Sequence, residues 1–286
     1  MPQQGSGVGN RLPNRDIGQG SQGRQDRRDN LSQNRPDRVD QRLQRREQRP
    51  QDRQAHRENV RDRGNEIRDG WQNVKHDLYQ PGWRARYPQL AHAHFHYGNH
   101  SHSHWWRWAT VGAVTSWFPW GWNEPTYYDY GSNVYYEGDN VYYGDQVVAS
   151  SEEYAAQAYD IATSAPEVDD KTEWMSLGVF AITQDGQASG PDPTVYLQLA
   201  VSKEGIIEGT VHDTASDKTS LIEGMVDQKT KRAAWVISGK TSPIMETGIS
   251  NLTQDTTPAL LHFSDGQTQQ WLLVRLEEPN GEGGPK

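Results

Sequence analysis

Six of the ten histidines fall in the stretch Ala91-His-Ala-His-Phe-His-Tyr-Gly-Asn-His-Ser-His-Ser-His104. In an extended chain alternate residues share a face, so His92, His94 and His96 form one triplet and His100, His102 and His104 another. Gly98-Asn99 between them supply turn chemistry. Neutral imidazoles in such triplets suit Zn, Ni or Cu(II), and they also titrate in the physiological range. No carboxylate completes the pattern nearby. The run is therefore read as an adventitious binder of these metals, and no dedicated cofactor is expected.

Other chemistry is sparse. The chain has no cysteine, which excludes disulfides, thiolate metal sites and a Cys nucleophile. It contains no phosphate-cradling Gly-rich loop, no Gly-x-Ser-x-Gly elbow and no His-Glu-x-x-His. His212 and His262 stand apart from any triad or metal motif. The expectation is a protein that is not an enzyme. Two groups of side chains remain as binding candidates. Tyr196, Glu223, Trp235 and Glu246 would line the mouth of a ligand-holding β domain. Trp117, Trp120, Trp122, Tyr135, Tyr136, Tyr142 and Tyr143 would form an aromatic interaction surface, because exposed aromatic patches mark contacts.

The elements that must carry these residues follow from one compositional step. Residues 1–70 contain no Trp, Tyr or Phe, whereas 71–159 hold 22 of the 28 aromatic residues. Residues 1–51 are built from Arg, Gln, Asp, Asn, Gly and Pro with closely alternating charge, so a disordered arm is expected there. The net charge of −9 is uneven: residues 1–70 carry +5 and the remainder −14. An acidic body repels nucleic acid, and the arm lacks stacking aromatics, so nucleic acid is not an expected partner. Val60, Ile67, Trp71, Val74 and Leu78 trace one stripe and predict an amphipathic helix over 52–79, docked on its own body or pairing in a coiled coil. Gly64 and Gly70 weaken that helix.

Residues 80–149 read as a His- and Trp/Tyr-rich connector. The Trp-rich stretch 105–122 is too short, and too broken by Pro119, to span a bilayer as a helix, so no transmembrane span is expected. A short helix is predicted at 108–118, packed on the β domain or lying at a membrane interface. The near-repeat Asn133-Val-Tyr-Tyr-Glu-Gly-Asp and Asn140-Val-Tyr-Tyr-Gly-Asp predicts an aromatic β-hairpin with strands near 133–136 and 141–143. Ser150-Ser-Glu-Glu153 has capping-box spacing and opens a linker helix over 150–165.

From residue 172 to 278 the pattern changes to eight short runs separated by turn residues. They are 174–183, 195–202, 206–213, 219–227, 232–239, 245–251, 259–263 and 269–277. Their even spacing predicts a mainly β fold: an eight-stranded antiparallel meander, closed as a barrel or folded as a sandwich. In the last run Leu272, Val274 and Leu276 point one way and Trp271, Leu273 and Arg275 the other. The second set is also largely apolar, so it needs a cover, and the linker helix at 151–164 and the Trp-rich segment are the expected ones. Residues 279–286 read as a disordered tail.

Three stretches carry a resemblance: Trp106-Arg-Trp-Ala-Thr through Trp122 to Glu152-Glu-Tyr154, Glu173-Trp-Met-Ser-Leu-Gly-Val-Phe-Ala181, and Gly239-Lys-Thr-Ser-Pro-Ile-Met-Glu-Thr-Gly248. They resemble planctomycete cell-surface proteins of the mu-protocadherin-like, aromatic-rich group, over about residues 70–278. The resemblance implies a cell-surface or envelope location, although the chain as given shows no signal peptide. The expected role is binding or structural, through contact with an envelope protein, a polysaccharide or a second copy. A small-ligand carrier using the barrel cavity, and a metal binder using the His run, are the alternatives.

Overall fold

The computed structural model describes residues 35–73, 78–79, 82–87, 90, 106–122, 124–169 and 171–279, with side chains along the first helix described from Asp52. The chain divides into two units between Asp52 and Arg53. The His run at 92–104, the arm residues 1–34 and the tail 280–286 lie outside the described residues.

Eight strands form a closed antiparallel barrel: β4 (Trp174–Gln184), β5 (Val195–Ser202), β6 (Ile206–Asp213), β7 (Lys218–Val226), β8 (Arg232–Ile237), β9 (Ile244–Gly248), β10 (Thr256–His262) and β11 (Thr268–Leu276). Each pairs with its neighbour in sequence, and β11 returns to β4 through the register Leu273↔Ile182 and Arg275↔Phe180. The meander is thus a barrel and not a sandwich. Period-two alternation sets the faces. Phe180, Leu197, Leu199, Ile207, Ile222, Trp235, Met245 and Leu273 fill the inside. Eight strands enclose a lumen just wide enough for side chains to fill. Each fully buried Leu, Ile or Phe contributes about 1.5–3 kcal/mol relative to exposure. Close approach at the wall needs small residues: a Cβ on Gly224 would stand 2.1 Å from the Ala234 carbonyl oxygen.

The Trp-rich segment closes one end. Its helix, α2 (Val111–Trp117), is capped by the Thr110 hydroxyl accepting from the Ala113 N–H. It spans fewer residues than the expected 108–118 because Thr110 takes the cap and Phe118 returns to extended backbone. Val114, Phe118 and Trp122 join the interior cluster, while Trp120 lies against Gly205 in the β5–β6 turn.

The outer wall is covered on two sides. Before the barrel, α1 runs Arg35–Asn73. Its range begins upstream of residue 52, and its side chains are described from Asp52. It ends at Asn73, short of the expected 79. Ile67 and Trp71 of its stripe are buried and Val60 packs beside them, while Leu78 joins the same cluster from the turn that follows. Val74 lies outside the described residues. Their partners are Val179, Ala181, Tyr196, Leu272, Val274 and Leu276, so the outward face of β11 is covered by α1 and Trp106. The other face, with Trp271 and Leu273, shares the interior cluster with the Trp-rich segment, as expected, and is not covered by the linker helix. That helix is α3 (Ser151–Ala162), and it sets Ala158 and Ala162 against Ala234, Val236 and Ile244 of β8 and β9.

The expected hairpin is a three-stranded sheet: β1 (Val134–Glu137), β2 (Asn140–Tyr143) and β3 (Gln146–Ser150). Tyr135 and Tyr142 face each other across β1 and β2 with parallel rings 5.1 Å apart. The third strand arises because Gly144-Asp145 makes a second turn, which brings Val147 opposite Tyr142. Val147 and Val148 are exposed.

Candidate functional site

The four residues expected at a barrel mouth do not meet. Trp235 points inward and is part of the packed core. Tyr196 is on the outer wall, its ring tilted against Trp71 at 5.4 Å between centres, with its hydroxyl donating to the Pro193 carbonyl at 2.9 Å. Glu223 is exposed on the outer wall and accepts from the Ser238 hydroxyl at 3.0 Å. Glu246 is outward-facing and fully buried. The physical reason is parity: Trp235 sits on one pleat face, and the other three sit on the opposite one.

The aromatic set divides in a similar way. Trp117 and Trp120 are half-buried against the interior cluster and Trp122 belongs to it. Lys203 stands 5.3 Å from the Trp117 ring centre, and Lys231 within 5.9 Å of Trp120 and Trp122. Tyr136 packs under the three-stranded sheet and Tyr142 is half-buried, whereas Tyr143 is exposed. These side chains are mainly closures of the fold, and the exposed part of the aromatic surface is Tyr143 with Trp108 and Tyr159.

Glu246 is the centre of a buried polar cluster that sequence reasoning missed. Arg232, on the neighbouring strand, donates to it through Nε at 3.0 Å and through a second guanidinium nitrogen. The same guanidinium donates to the Gln157 side chain at 2.7 Å and the Tyr154 carbonyl at 2.9 Å, and lies 3.7 Å over the Tyr154 ring. Tyr130 donates its phenol to Glu246 at 2.9 Å, and His262 Nε2 stands 3.5 Å from the same carboxylate. Burial alone would lift the Glu246 carboxyl, but Arg232 and His262 more than offset it and hold it below its ordinary value. Burial pushes the phenols of Tyr130 and Tyr154 well upward. The cluster joins α3 and the aromatic sheet to the barrel wall. His212 is likewise structural: buried beside Trp83 and Tyr87, it shares a 2.8 Å hydrogen bond with Thr219.

A second polar region does open to solvent. A groove of about 460 Å³ runs between α1 and the wall, with His56, Arg57, Arg61 and Arg68 on the helix side and Asp129 and Asp255 opposite. Arg68 is fixed by the Asp255 carbonyl at 2.9 Å, the Thr256 hydroxyl at 3.0 Å and Asn65 at 2.7 Å. Arg57 donates to the Ser132 hydroxyl at 3.1 Å. Burial lifts the Asp129 carboxyl above its ordinary value, against the pull of Arg57 and His56. Behind the groove His56 stands 3.5 Å from Asp185, and Gln270 bridges to the Tyr130 carbonyl at 2.8 Å. The signal was legible: Arg57, Arg61 and Arg68 are spaced four and seven apart, which is one helix face.

Among the described residues no three His, Asp or Glu side chains stand close enough to hold a metal ion, and no helix is long and apolar enough to cross a membrane. No family model, curated protein or solved structure matches the chain.

Proposed function

We propose that the protein is a non-enzymatic binding and structural module of the cell surface or envelope, working as a rigid barrel whose outer surfaces make the contacts. The observation that carries this reading is the filled lumen. Phe180, Leu199, Trp235 and Met245 occupy the space that a carrier would keep for its ligand. The titratable groups at the buried centre, Arg232 and Glu246, are spent on fastening covers to the wall. The groove beside α1 lies outside the barrel, where a polymer or a partner can reach it. The envelope location rests on the resemblance of the aromatic stretches. Cell fractionation with an antibody against the barrel tests it. Recovery with envelope material is expected, and recovery in the cytosolic fraction would overturn the location.

A further inference from the structure

We infer that the groove between α1 and the barrel wall is a binding site for an acidic saccharide, a sugar segment bearing carboxylate or sulfate. This deepens the envelope reading by naming the partner's chemistry. Three features of the groove point there.

The first is charge. Residues 71–286 carry a net −14, a body that repels anions over most of its surface. The groove reverses this locally, with the guanidiniums of Arg57, Arg61 and Arg68 facing the carboxylates of Asp129 and Asp255. Guanidinium forks pair with planar oxyanions through two parallel bonds, which gives geometric selectivity as well as attraction.

The second is preorganisation. Arg68 is held by three acceptors and Arg57 by one, so neither must be ordered when a ligand arrives. Arg61 lies on the rim, 68% exposed, where its one recorded partner among the described residues is the adjacent Asp62. It is placed to close on an anion already seated.

The third is the mixture of groups. A site for a bare oxyanion would exclude carboxylates. This one retains Asp129 and Asp255, and adds the Gln254 amide along the same wall. Carboxylates accept from hydroxyls, and an amide both accepts from and donates to them, so a ligand that suits all of these groups carries both an acid group and many hydroxyls. A volume of about 460 Å³ is within the size range of ligand sites, and the groove is open to solvent.

Isothermal titration of the full chain tests this, with polygalacturonate, dextran sulfate, unmodified dextran and inorganic phosphate as the probes. Binding of polygalacturonate or dextran sulfate is expected, weakening with added salt, with unmodified dextran inert. The stronger of the two assigns the acid group as carboxylate or sulfate. Arg61→Glu should weaken binding at least about tenfold and Arg61→Gln less, both with an unchanged melting midpoint. Equal affinity for unmodified dextran, or undiminished affinity in Arg61→Glu, would overturn the site. Phosphate binding as tightly as the saccharide would overturn the saccharide. A cytosolic protein that still binds polygalacturonate would keep the groove and lose only the location.

Discussion

Glu246 has the highest stakes of any single side chain. A buried ion pair adds little net stability, but deleting one partner leaves the other charge uncompensated. Glu246→Gln strands Arg232 and should lower the unfolding free energy by about 3–5 kcal/mol, seen as a lower urea midpoint at unchanged slope. The acid dependence follows from the depressed carboxyl. The unfolded chain holds this proton more tightly than the native one, so the contribution is complete above pH 4.5 and is lost as the pH falls below it. The gap between the native protein and Glu246→Gln should therefore narrow in acid, and a gap that widens would contradict the pairing. Little of this was legible. Arg232 and Glu246 are fourteen positions apart and meet only because β8 and β9 pair with Ala234 opposite Glu246. Arg275 is a similar surprise. Its place in the alternation sends it inward, where burial pushes it down to about 10 and it donates to the Leu252 carbonyl at 2.6 Å, with Trp108 and Phe180 near its guanidinium.

At the scale of elements, α1 explains a residue that the sequence made look like a flaw. Gly64 weakens a helix, yet a Cβ there would stand 2.1 Å from the Thr256 hydroxyl and 3.1 Å from its Cβ. The glycine lets the helix lie close against β10. Gly64→Ala should therefore lose stability by about 1–3 kcal/mol despite the better helix propensity of alanine, measured by thermal or urea unfolding. An increase would mean that the helix stands off the wall. Arg63 marks the same contact: it is buried and donates to the Gly190 carbonyl at 3.0 Å and to the Pro191 carbonyl. In the sequence it was one more charged position of the expected amphipathic helix. The cap of α3 was legible in full, because a capping box is local. Ser150 accepts from the Glu153 N–H at 3.1 Å while Glu153 accepts from the Ser150 N–H at 2.8 Å. Ser150→Ala should cost about 1 kcal/mol in the same assay. The third strand of the aromatic sheet was missed because Val147 and Val148 are exposed and so break the inside–outside rule.

For the whole molecule, the alternation of eight runs was enough to foresee a rolled sheet, since register and turn chemistry are written locally. Closure was not, because it depends on the pairing of β11 with β4, nearly a hundred residues apart. The aromatic richness has its own global consequence. Burial raises the phenols of Tyr79, Tyr128, Tyr130, Tyr136 and Tyr154, with Tyr128 pushed up to about 12. The native state holds these protons more tightly than the unfolded chain, whose phenols titrate near 10. Stability is thus intact below pH 10 and is lost as the pH rises through about 12. Tyrosinate absorbance and circular dichroism should change together in that range, and ionisation of all five phenols in a chain that keeps its native dichroism would contradict their burial. One contact bears on how the chain is made. The Trp71 indole donates to the Glu277 carbonyl at 2.9 Å, across 206 positions. The helix α1 therefore waits for β11 before its packing is complete. Until β11 is made, Ile67 and Trp71 lack the Leu272, Val274 and Leu276 part of their wall, so a nascent chain stalled before residue 268 is a natural client for a chaperone and an easy substrate for a protease.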